Sequence, residues 1–82
     1  MKKQMIVMSV WKCRGLWYLS VWGLDQGVVL DIAPHYRGHR NESEVRARAL
    51  AAADLVKRKY PQTADFPIVT EHSPEWQAIL AA

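Results

Sequence analysis

Hydrophobic residues enter this chain in two rhythms. Over residues 4–12, 16–22 and 28–33 they form short runs dense in β-branched and aromatic types, with no spacing of three or four. Such runs favour extended backbone, where bulky side chains pack on a pleated surface. Two glycine-bearing breaks separate them, Cys13-Arg14-Gly15 and Gly23-Leu24-Asp25-Gln26-Gly27, and Pro34 closes the third. Short connections make consecutive strands antiparallel, so the first 33 residues predict a meander.

The rhythm then changes. Asn41 stands three residues before Glu44, the spacing of a capping box. Residues 42–59 carry Ala47, Ala49, Ala51, Ala52 and Ala53, acids at the start (Glu42, Glu44) and bases at the end (Lys57, Arg58, Lys59), which suits a helix dipole. Tyr60 precedes Pro61, and the residue before proline resists helical backbone. The spacing therefore predicts one long helix whose buried stripe is Val45, Ala49, Ala52, Val56 and Tyr60 with Ala53 beside it. Leu50 and Leu55 fall on opposite flanks, which predicts contact on more than one side. Residues 66–70 predict a fourth strand, confined to a sheet edge by Pro67. Ser73-Pro74 predicts the start of a short helix over 74–81. The fold class that follows is α+β: a three- to four-stranded antiparallel sheet packed on one long helix, with a short C-terminal helix.

Composition narrows the class further. Eighty-two residues make a single domain, 1–82, and half of them are hydrophobic. The formal charge of +3 permits contact with a polyanion without requiring it. One cysteine, Cys13, excludes an intrachain disulfide, and no run approaches a membrane span, so a cytoplasmic location is expected. His35 and His39 are four apart, a metal-ligand spacing on a helix, but Pro34 and Gly38 argue against helix there. Cys13 lacks a partnered base. Neither a metal, a cofactor nor an enzymatic activity is expected.

Two surfaces stand out for binding. Alternation along the strands places Ile6, Met8 and Val10 with Trp17, Leu19 and Val21, and with Val28, Leu30 and Ile32, on the face that seats the long helix. The opposite face carries Met5, Val7 and Trp11 with Tyr18, Ser20 and Trp22, and with Val29 and Asp31. One helix cannot cover both faces. Trp76 and Ile79 of the C-terminal segment, a second copy, a partner protein or stacked bases are the candidate covers for Trp11, Tyr18 and Trp22. Stacked bases are the least favoured, because no Lys or Arg is interleaved within the second and third strands. The second surface is the connection 34–41, where His35, Tyr36, Arg37, His39 and Arg40 gather residue types common at binding hot spots.

The order strand–strand–strand–helix–strand, carried by Gly15-Leu16-Trp17-Tyr18-Leu19-Ser20-Val21-Trp22 and by the stretch from Glu44 to Val56, resembles several small β-β-β-α domains. It is similar to HicB-type antitoxin domains, to arm-type DNA-binding domains of phage integrases and to phage-borne anti-CRISPR proteins. The glycine–threonine signature of the first is replaced here by His39-Arg40-Asn41. The basic third strand of the second is replaced by Val28-Val29-Leu30-Asp31-Ile32. The resemblance implies a small accessory protein of a mobile element that acts by binding. The expected function is a non-enzymatic protein-binding or inhibitor module, working on a protein partner or as a homodimer. The alternative is a small nucleic-acid-binding domain.

Overall fold

The computed structural model describes residues 3–82, and for residues 31–36 it describes the backbone path alone. Strands β1 (Gln4–Cys13), β2 (Leu16–Asp25) and β3 (Val28–His39) form the meander, α1 (Glu42–Lys59) follows, and β4 (Ile68–Thr70) and α2 (Pro74–Ala81) complete the order. Both hairpins turn on two residues. Arg14 and Gly15 have φ of 51° and 81°, and Gln26 and Gly27 have 52° and 86°. Two successive positive φ values give the turn whose twist matches the flanking strands, so β1 and β2 run further into the breaks than their composition suggests.

The sheet order is β3-β2-β1-β4. The first three strands pair antiparallel, as expected, and β4 pairs with β1 in parallel, Ile6 opposite Ile68 and Met8 opposite Thr70. The helix carries the chain back to the starting end of the sheet, so β4 must run in the same sense as β3 and β1. Ile6 N–H joins the seam by donating to Pro67 C=O at 2.8 Å.

Residues 34–39, expected in a connecting loop, belong to β3, which is an outer strand. Pro34 does not stop it because a residue without an N–H is tolerated where only one side of the strand is paired. The extension is irregular. Register shifts fall between Trp17 and Leu19 and between Trp22 and Leu24 of β2, and the extra residues lie on β3. The strict alternation assumed for β3 therefore breaks, and Val28, assigned to the helix face, is 62% exposed.

α1 occupies the bounds its composition predicts, and Val45, Ala49, Ala52, Ala53 and Val56 are buried on Ile6, Leu19, Val21 and Phe66. The small side chains let the helix lie close on the sheet. Tyr60 extends the stripe, and its hydroxyl donates to Leu30 C=O at 2.7 Å. The expected flank contacts do not form: Leu50 is 49% and Leu55 60% exposed, because sheet lies on one side of the helix only. The capping box does not form either. Asn41 is the N-cap with extended backbone, but its side chain makes no capping bond, and Glu44 turns instead toward Arg48 and His39.

A second, smaller core lies on the other face, where Met5, Val7, Leu24 and Val69 pack with Trp22 and with Trp76, Ile79 and Leu80 of α2. Ser73 caps this helix, its hydroxyl accepting from Trp76 N–H at 3.2 Å, with Pro74 in the first turn.

Candidate functional site

The α2 helix is short and reaches only part of the second face. Its Trp76, Ile79 and Leu80 pack on the same second core as Trp22, which is partly buried there. Beyond it the face stays open. Trp11 and Tyr18 are cross-strand partners near the β1–β2 turn. Their rings stack at 6.0 Å between centroids with 17° between planes. Trp11 is 42% exposed, and every residue from 11 to 15 is exposed, so the hairpin tip stands clear of both helices. A shallow depression of about 470 Å³ borders the stack, lined by Ser9, Trp11, Thr70, Glu71 and His72. Ser9 Oγ donates to Glu71 Oε1 there at 3.4 Å.

On the other side of the same end, the extended β3 and the start of α1 form a cleft of about 300 Å³ whose charged lining is Arg37, Arg40, Arg48 and Glu44. The elements explain the gathering. β3 runs on to His39, opposite Trp17, which sets Arg37 and Arg40 beside the first turn of α1. Glu44 and Arg48 are one helical turn apart and lie 3.4 Å from each other. Glu42 is likewise held by Arg46 at 2.8 Å. Arg14, Arg37 and Arg40 have no ion pair or hydrogen bond among the described residues. Lys12 lies over the Trp17 ring, 5.9 Å from its centroid.

His39 is the buried member of the cleft. Its side chain is 6% exposed, Nδ1 lies 3.5 Å from Glu44 Oε1, and Nε2 has no partner. Gly38 joins the two sides of the site. A Cβ there would approach Leu16 Cβ to 2.9 Å and Tyr18 Oη to 3.1 Å, so β3 passes against the aromatic strand at this residue.

Of the residues the sequence suggested, the structure unites Arg37, His39 and Arg40 in one cleft and Trp11 with Tyr18 in one stack. His35 and Tyr36 lie outside the residues whose side chains are described. Arg14, Gly38 and Arg48 were missed. The four-residue spacing from Glu44 marked Arg48, and the Arg14-Gly15 pair marked a two-residue turn that would present Arg14 at a tip. Cys13 is exposed and free. Among the described residues, no group of three or more His, Cys, Asp or Glu comes together, and no helix is long and apolar enough to cross a membrane.

Fold and site together define a small α+β domain whose sheet is sealed by a long helix on one face and half covered on the other, with an aromatic and cationic end. No protein-family model matches the chain, and no curated protein or solved structure matches it.

Proposed function

We propose that this protein is a non-enzymatic binding module for single-stranded nucleic acid, acting through the hairpin end. The observation that carries the reading is the Trp11–Tyr18 stack at the same end of the molecule as Arg14, Arg37 and Arg40, which have no acid partner among the described residues. Single strands are held by aromatic rings on which bases stack and by cations that follow the backbone. The extension of β3 brings a cation, Arg37, onto the sheet at the same end as the stack. With about three phosphates contacted, a fourfold rise in salt lowers affinity roughly 20-fold through counterion release.

Fluorescence titration of the full chain with oligothymidylate tests this directly. Tryptophan quenching that saturates, with an affinity that weakens with salt by about that factor and falls about 5- to 150-fold in Trp11→Ala, is the expected result. Absence of saturable binding at low salt overturns the reading.

A second reading, a protein-binding or inhibitor module, draws on a different surface. Leu50 and Leu55 stay exposed on the outer side of α1, and Leu55 borders a shallow groove with Arg48, Ala51 and Ala52. Its mark is capture of a partner that survives high salt and is lost in Leu55→Asp while Trp11→Ala leaves it intact.

A further inference from the structure

The first-turn amides of a helix have no intrahelical acceptor, and a side chain at the N-cap normally takes one of them. Here Asn41 does not, and the first bond of α1 is Val45 N–H to Asn41 C=O at 3.3 Å. Among the described residues nothing accepts from the amides of Glu42, Ser43 or Glu44. These donors face the same end of the molecule as the cleft lined by Arg37 and Arg40.

Two acids of the first turn would repel an anion, but each is already offset by an arginine, Glu42 by Arg46 at 2.8 Å and Glu44 by Arg48 at 3.4 Å. Among the described residues, the charge left over in the cleft is that of Arg37 and Arg40. A buried imidazole with an unpartnered nitrogen, His39, also lines the cleft. A buried polar atom without a partner is disfavoured unless something completes it. We infer that the cleft is a phosphate subsite, built from the open amides of α1, Arg37, Arg40 and His39, and that it takes a phosphate group of the nucleic-acid backbone. The inference rests on the nucleic-acid reading for the source of the phosphate; the subsite itself stands on the cleft.

NMR titration of the full chain with inorganic phosphate, at ionic strength held constant with chloride, reads the subsite. Saturable shifts at the amides of Glu42, Ser43 and Glu44 and at the His39 ring are expected. Arg37→Gln with Arg40→Gln should weaken them at least 10-fold, with a spectrum that otherwise keeps its dispersion. Asn41→Asp is the sharper variant. A carboxylate at the N-cap occupies the amides and repels phosphate, so the helix becomes more stable while phosphate binding is lost. A merely structural helix end gains stability in that variant and has no phosphate response to lose. Shifts that do not saturate, or that spread evenly over all surface cations, overturn the subsite.

The same variants titrated with oligothymidylate separate the two claims. Phosphate binding without oligonucleotide binding keeps the subsite and removes nucleic acid as its source. Oligonucleotide binding that Trp11→Ala abolishes and Asn41→Asp leaves untouched keeps the nucleic-acid reading and removes the subsite.

Discussion

Arg14 occupies a backbone conformation that ordinary side chains avoid. At φ 51°, ahead of Gly15 at 81°, it holds the first position of a turn that favours asparagine followed by glycine. Arg14→Asn is expected to stabilise the fold by about 0.5–1 kcal/mol, about half of the roughly 1–2 kcal/mol of left-handed strain. For a domain of this size that raises Tm by roughly 2–8 °C. The same substitution removes a cation from the tip, so oligonucleotide affinity should fall as thermal stability rises. Opposite movement of the two readouts places Arg14 in the binding surface; parallel movement assigns it to the turn alone. A second local conflict is Trp76 Nε1, a buried donor with no acceptor. An unsatisfied donor costs about 1–3 kcal/mol. Trp76→Phe, which keeps an aromatic ring in the second core, should therefore leave the denaturant midpoint unchanged or raise it, whereas Trp76→Ala should lower it.

The elements differ in how plainly the chain announces them. α1 and α2 are readable to the residue because alanine content, terminal charges, Ser73-Pro74 and Tyr60-Pro61 all act locally. The buried stripe of α1 follows from the same periodicity. β3 is not readable in this way. Pro34 and Gly38 are punctuation in a connecting segment and acceptable in an outer strand, and only the sheet order decides which. The capping box of Asn41 and Glu44 failed for a related reason: Glu44 has competing partners in Arg48 and His39, and His39 arrives only because β3 is long. The site inherits this division. Its residues were visible as types, Trp11 and Tyr18 on one face and Arg37, His39 and Arg40 in one stretch. Their division between a stack and a cleft that meet at Gly38 depends on a bulge that no local pattern encodes. The partial closure of the second face by α2 was likewise open until the length of that helix was set against the length of β1: 8 helical residues, roughly 12 Å, against 10 extended residues, roughly 33 Å.

At the scale of the molecule, asymmetry is the organising fact. The chain spans 39 × 26 × 17 Å, and residues 11–15 at its hairpin tip are all exposed. A formal charge of only +3 understates the local field, since Arg14, Arg37 and Arg40, at one end, have no acid partner among the described residues. Charge concentrated in this way steers association and makes it sensitive to ionic strength, whatever the net value. The other end holds the second core, away from the exposed tip. Truncation of Trp11, exposed and outside both cores, is therefore expected to alter binding with little effect on folding.

The parallel seam between β1 and β4 has a consequence for how the molecule is born. β1 emerges early in this domain's synthesis, before its outer neighbour, which follows some sixty residues later, Ile6 waiting for Ile68. Until then a nascent chain holds a finished meander and helix with one flank of β1 bare, and an unpaired flank of this kind invites pairing with another copy. A chain cut short after residue 65 should accordingly form thioflavin-positive or sedimenting material at concentrations where the full chain stays clear. Equal clarity of both would mean that the last turn of the topology guards nothing.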